Sequence, residues 1–113
     1  MSWGWGRGPA EPPPEVSVAD LMSDEDASKI VIDVREPMET AEGAIDGAWL
    51  VPLGQIESVV HELADDANVY LVCRSGNRSA YAAQLLAAAG KRGVKNVAGG
   101  MIAWVRAGYP IAD

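Results

Sequence analysis

Residues 69–79, Val69-Tyr70-Leu71-Val72-Cys73-Arg74-Ser75-Gly76-Asn77-Arg78-Ser79, decide how this chain is read. The run opens with a short, mostly apolar block, the pattern of a strand buried on both faces. It closes into residues 80–89, an Ala/Leu-rich stretch that predicts a helix stopped by Gly90. Between them lies a polar loop holding the only cysteine of the chain, two arginines and a glycine. A strand that delivers a cysteine to a loop feeding a helix N-terminus surrounds its sulfur with backbone N–H groups and the positive end of the helix dipole. Such surroundings favour thiolate over thiol. Gly76 permits the turn that points successive N–H groups inward. A lone cysteine after a strand is by default a small buried hydrophobe. Arg74, Gly76, Asn77 and Arg78 make poor core neighbours, however, so Cys73 is read as functional.

The rest of the chain alternates strand and helix signals around this unit. Residues 1–15 are rich in Gly and Pro and read as a mobile or loosely docked arm without regular structure, a tail that packs opportunistically, with a docking peptide carried by Trp3 and Trp5 as the alternative. The domain proper is expected over residues 16–113. Val16–Val18 reads as a short strand and residues 19–26 as a short acidic helix. Ile30–Val34 reads as a buried strand with Asp33 and Arg35 at its end, and Glu36–Thr40 as a helical turn opened by Pro37. Ala48–Val51 predicts a strand. Ile56, Val59, Val60 and Leu63 carry the spacing of an amphipathic helix over Leu53–Leu63. Asn96–Ala98 predicts a last strand and Met101–Ala107 a closing helix bounded by Gly100 and Gly108. Short apolar strands alternating with helices imply an α/β domain, a central parallel sheet with helices on both faces. Ligands of such sheets bind at the carboxyl ends of strands, where Cys73 lies, and Asp33 and Arg35 are expected at the same edge.

At 113 residues the chain is long enough for one core. No apolar run approaches the roughly 20 residues of a membrane span, and the N-terminus lacks the basic-then-apolar order of a secretory signal. One cysteine excludes an internal disulfide framework and points to a reducing, cytoplasmic compartment. With a single cysteine and a single histidine, a structural zinc site is not expected, nor is any cofactor. The net charge of −7 argues against nucleic acid as a partner. Its distribution is more telling. No acidic residue lies between Ala67 and Ala112, where Arg74, Arg78, Lys91, Arg92, Lys95 and Arg106 all fall. A locally basic half inside an acidic chain suits a small anion.

A Cys–His protease would need a base beside the thiol, and His61 is the sole candidate. It is read instead as a partly exposed residue of the helix before the central strand. Activation then falls to the loop amides, the helix dipole and the arginines. Asp33 and Arg35 are either catalytic or, the preferred reading, hold neighbouring loops by charge-assisted hydrogen bonds. Trp104 is assigned to the core and Arg106 to the surface.

Taken together, Ile32-Asp33-Val34-Arg35-Glu36-Pro37, Glu42-Gly43-Ala44-Ile45-Asp46-Gly47-Ala48, the loop from Cys73 to Arg78, Gly99-Gly100-Met101-Ile102-Ala103-Trp104 and Ala107-Gly108-Tyr109-Pro110 resemble, in the same order, a single-domain rhodanese, a thiosulfate sulfurtransferase. Ala44 departs from the family, which usually carries histidine there. The resemblance implies that Cys73 takes a sulfane sulfur from a donor as a persulfide and passes it to a thiophilic acceptor. It makes Arg74, Ser75, Gly76, Asn77, Arg78 and Ser79 the substrate-binding loop, with Asp33 and Arg35 in support. The implied partners are a small anionic sulfur donor, a thiol or cyanide acceptor and, as a further option, a protein sulfur acceptor; neither nucleic acid nor membrane is implied. Related phosphatases and arsenate reductases use Cys-x5-Arg, whereas four residues separate Cys73 from Arg78. That shorter cradle suits a single sulfur better than a tetrahedral phosphate. Arg74 and Arg78 tilt the donor towards dianionic thiosulfate. The alternative to an enzyme is a sulfur-relay or binding module serving a protein partner.

Overall fold

The structure, a computed structural model, describes residues 12–113. The expectations attached to Trp3 and Trp5 fall outside these residues. Five parallel strands are ordered β1-β5-β4-β2-β3: β1 (Glu15–Val16), β2 (Ile30–Asp33), β3 (Trp49–Leu50), β4 (Val69–Val72) and β5 (Val94–Val97). Helices α1 (Val18–Ser23), α2 (Pro37–Thr40), α3 (Asn77–Ala88) and α4 (Gly100–Arg106) and a 3₁₀ helix (Leu53–Glu62) connect them. The expected α/β domain with a covered parallel sheet is what the chain forms.

β4 is central because all four of its residues are buried, and each such aliphatic side chain contributes about 2 kcal/mol of burial. Side chains alternate across it. Val69 and Leu71 join Ile32, Val34, Ile56, Val59, Ala82 and Leu86 in a core beneath α3 and the 3₁₀ helix. Tyr70 and Val72 join Leu21, Val31, Val97, Met101 and Trp104 in a second core beneath α1 and α4. Period-two alternation therefore sends Cys73, the next odd position, to the α3 side, where it packs with the first core.

Most boundaries shift by a residue or three from the sequence expectation, each for a local reason. Ser17 is the N-cap of α1, its hydroxyl accepting from the Asp20 amide at 3.0 Å, so the preceding strand ends at Val16 and reaches back to Glu15. The arm's end is docked as well: the Asn96 amide donates to the Pro14 carbonyl at 3.0 Å. Helix α3 begins at Asn77 rather than Ala80, so Asn77, Arg78 and Ser79 belong to its first turn. The last strand begins at Val94, two residues early, where it pairs with Val69.

The element after β3 is the larger departure. An amphipathic α-helix is expected over Leu53–Leu63, whereas the chain forms a 3₁₀ helix over Leu53–Glu62. Gly54 and the β-branched Ile56, Val59 and Val60 weaken α-helix propensity there. The two fully buried residues, Ile56 and Val59, are three apart, which matches the three-residue turn. His61 is exposed on this element.

Candidate functional site

Cys73 follows β4 directly and Asp33, in register with Val72, ends β2, so both lie at the carboxyl edge of the sheet. The loop from Cys73 to Gly76 is closed by Gly76 at φ 109°, a left-handed conformation that glycine adopts without a Cβ penalty. That turn brings the Gly76 amide to 3.1 Å from Cys73 Sγ, to which it donates. Ser79, one turn into α3, is fully buried and places its Oγ 3.3 Å from the same sulfur. Burial pushes the thiol up, but the Ser79 hydroxyl and the amides of Ser79, Gly76 and Ser75 outweigh it, and the Cys73 thiol lies below its ordinary value. Cys73 itself is 1% exposed. The arrangement can hold a sulfur anion in a nearly closed cradle.

The loop is also gripped from the other face. The first amides of α4 donate to its carbonyls, Met101 N to Cys73 O at 2.8 Å and Ile102 N to Arg74 O at 3.0 Å. This contact needs Gly100, since a Cβ there would stand 2.3 Å from the Cys73 carbonyl oxygen.

Two buried or half-buried ion pairs frame the loop. Arg35 grips Asp33 with Nε and Nη2, the closest contact being 2.8 Å, and Nη2 donates onward to the Gly43 carbonyl at 2.8 Å. Both residues of this pair are buried. Arg78 meets Glu39 of α2 in a two-pronged contact of 2.7 and 2.8 Å. Hydrogen bonding from Arg78, and then from the Glu36 amide, holds the Glu39 carboxyl down at about 2. Arg78 is raised in turn by Glu39. Its charge is thus matched, whereas Arg74, exposed, has no ion-pair partner among the described residues. Ser75 and Asn77 are exposed beside it.

A groove of about 540 Å³ runs between α2 and α4 next to the loop, with Met38, Ile102 and Val105 as apolar walls, Arg35, Arg74 and Arg106 as cationic ones and Glu39 and Glu42 as acidic ones. Trp104 sits in the core behind it, its indole N–H donating to the Pro110 carbonyl at 2.8 Å. Ala44 is buried and bridges Ala112 in antiparallel fashion, with 3.0 and 2.7 Å hydrogen bonds. Sequence reasoning missed Glu39 as the partner of Arg78 and Asn96 as a neighbour of Ser79. Glu39 carries one local signal, its position at the third residue of α2, where it closes a capping box with Glu36. Asn96, beside Lys95 in a strand that is half polar, carries none.

The family model for the Rhodanese-like domain matches residues 16–107. A protein of Allochromatium vinosum named Sulfurtransferase is 40% identical over 82 residues, which cover 73% of this chain and 77% of that one. A Bacillus subtilis protein named for sulfur carriage is 37% identical over 93 residues, and this chain spans about half its length, 50% against 80% of its own. Among solved structures, a rhodanese-related protein of Thermoplasma volcanium superposes with a TM-score of 0.79 at 31% identity, covering 88% of this chain and 97% of that one.

Proposed function

The chain belongs to the rhodanese-like domain family, and on that premise we propose that it transfers a sulfane sulfur from thiosulfate or a related anionic donor to a thiophilic acceptor through a persulfide on Cys73. The observation that carries the reading is the cradle itself: a single buried sulfur, 3.1 Å from the Gly76 amide, with its thiol lowered by loop donors. In the first step the Cys73 thiolate attacks the outer sulfur of thiosulfate; that S–S bond breaks and sulfite departs with its electron pair. The terminal sulfur, now bonded to Sγ, is anionic and is stabilised by the loop amides. An acceptor thiolate or cyanide then attacks it, the new S–S bond breaks and Cys73 leaves as thiolate. Arg74, without an ion-pair partner among the described residues, is assigned to the donor's sulfonate. Arg78, matched by Glu39, is assigned to the shape of the loop. The groove walls Met38, Ile102 and Val105, beside both cationic and acidic side chains, support an acceptor larger than cyanide, a thiol with an apolar part. A reducing cytoplasm, which keeps a lone thiol free, is the compartment this chemistry suits.

A second reading, a sulfur relay to a protein partner, is favoured by the relative named for sulfur carriage. Phosphate hydrolysis ranks behind both, because only four residues separate Cys73 from Arg78. The test is mass spectrometry of the purified chain after incubation with thiosulfate. One added sulfur atom is expected, removable by cyanide as thiocyanate and absent in Cys73→Ser. Turnover without a sulfur-bearing intermediate would overturn the persulfide route. Slow turnover of thiosulfate beside fast loading from a protein persulfide would select the relay.

A further inference from the structure

The sulfur of Cys73 ends a chain of hydrogen bonds that crosses α3 and β5 to reach β1. Asn96 on β5 is buried, 2% exposed, and its Nδ2 lies 3.0 Å from Glu15 Oε2 and 3.1 Å from the Gly76 carbonyl. Both amide protons are committed to those acceptors, which leaves Oδ1 against the Ser79 hydroxyl at 2.6 Å. The Ser79 Oγ also lies 3.3 Å from Cys73 Sγ. A hydroxyl has one proton and an amide carbonyl has none to give. The short Asn96 contact therefore takes the Ser79 proton, and Ser79 turns a lone pair to the sulfur. That arrangement suits a thiol, whose S–H donates to Oγ. It does not suit an anion, which needs a donor.

We propose that Asn96 is a positioning residue that holds the Ser79 proton away from Cys73 while the sulfur is a thiol, and releases it to the sulfur when the sulfur becomes anionic. The change is a rotation of the hydroxyl about its Cβ–Oγ bond. Oγ–H···Oδ1 is exchanged for Oγ–H···Sγ, and the thiol proton leaves to solvent. The same rotation serves the second half of a sulfur transfer, when the persulfide bond breaks and its electron pair passes to Sγ. The inference rests on Cys73 being the reacting group, as proposed above, and makes no use of the donor's identity.

Other charges around the sulfur are placed differently. Arg74 lies in the loop, and Arg78 on α3 is paired with Glu39 of α2. Asp33 and Arg35 of the β2 end pair with each other. On β5 Lys95 donates to Asn68 and Gly93, on β1 Glu15 reaches the site only through Asn96, and on α4 Arg106 stands at the far end. His61 of the 3₁₀ helix is exposed. Ser79 is thus, among the described residues, the one side chain within hydrogen-bond distance of Sγ that has a proton to turn towards it.

The test is the rate of Cys73 alkylation by iodoacetamide against pH in wild type, Ser79→Ala, Ser79→Thr, Asn96→Ala and the double Ser79→Ala/Asn96→Ala variant. Below the wild-type midpoint, Ser79→Ala is expected to react about tenfold more slowly, having lost a hydrogen bond to an anion. Ser79→Thr, which keeps the hydroxyl, should react faster than Ser79→Ala. Asn96→Ala should react faster, because the hydroxyl is free to turn to the sulfur, and the double variant should match Ser79→Ala. Slower alkylation in Asn96→Ala, or an Asn96 effect that survives removal of the hydroxyl, would overturn the proposal. If Asn96→Ala does not fold, the side-chain Cγ resonance of Asn96 in wild type decides. It should move with the midpoint of the thiol and stay fixed in Ser79→Ala; a signal that ignores the thiol's titration overturns the proposal. Absence of a persulfide with this alkylation pattern intact would sink the transfer reading alone.

Discussion

Gly100 sits against Cys73 backbone to backbone: a Cβ on Gly100 would come within 2.3 Å of the Cys73 carbonyl oxygen and 2.7 Å of that of Arg74. At the same point the Met101 amide donates to the Cys73 carbonyl at 2.8 Å. The loop is therefore clamped between two helices, α3 opening from its end and α4 seated on its start.

Gly100→Ala should break this clamp. The added methyl meets backbone, which cannot step aside as a side-chain tip does, and φ at Gly100 is +54°, which costs a further 1 kcal/mol or so in a residue with a Cβ. A loss of at least about 2 kcal/mol in urea denaturation is expected, together with a rise in the pH at which Cys73 becomes reactive. A variant with wild-type stability and wild-type thiol would show that the contact is slack.

Arg35→Ala should destabilise more than any loop substitution. Asp33 is 1% exposed and, among the described residues, would be left with only the backbone amide of position 35, at 3.1 Å, donating to it. Breaking one side of a buried pair costs about 3–5 kcal/mol. The Gly43 carbonyl would lose its donor too, loosening the segment that ends at Ala44. Chemical denaturation measures the loss; a change below about 1 kcal/mol would mean that water replaces the guanidinium at little cost.

The two loop arginines should separate in steady-state kinetics with thiosulfate. Arg74, without an ion-pair partner among the described residues, is expected to act on donor binding, so Arg74→Ala raises KM with little change in kcat. Arg78 anchors the first turn of α3 to α2, so Arg78→Ala should lower kcat as well. Equal effects confined to KM in both variants would contradict the assignment.

Glu39 should give the fold an acid-sensitive component. Its carboxyl falls from the ordinary 4.5 to about 2 in the folded chain, through Arg78 first and the Glu36 amide second. A group with a depressed folded value stabilises above its unfolded value and loses that contribution as pH falls through the folded one. The stabilisation is therefore full above about pH 4.5 and drains away between there and pH 2. Solvent reaches both partners, so about 1 kcal/mol is expected at neutral pH. Denaturation of wild type and Glu39→Gln should differ by that amount at pH 7, by clearly less at pH 3, and converge towards pH 2. A difference unchanged at pH 3 would assign the effect to packing instead.

Much of this was legible in the residues alone. The apolar run Val69–Val72 ending in Cys73, with Gly76 and a helix-forming stretch beyond, determined a buried strand, a tight loop and a helix, because side-chain alternation, glycine's freedom at φ 109° and Ala/Leu propensity are local properties. The alternation of elements likewise determined a parallel sheet, since each short apolar strand needs a helix on either face to keep it from water. Spacing was less informative where two periods compete: Ile56 and Val59 fit a 3₁₀ turn as well as an α-helix, and the element formed is 3₁₀.

What the tertiary structure alone decided is which charges are paired among the described residues. From the sequence, Arg74 at the loop's start and Arg78 at the helix entrance suggest different roles, but nothing local says which of them is paired. Only the packing of α2 beside α3 brings Glu39, distant in the chain, to 2.7 Å from Arg78, while Arg74 has no such partner among the described residues. The same holds for Asn96, whose role beside Ser79 exists because parallel pairing sets β5 next to β4 and β1. Hydrogen bonds and ion pairs act over about 3 Å, and residues far apart in the chain reach that distance only when the sheet order is set.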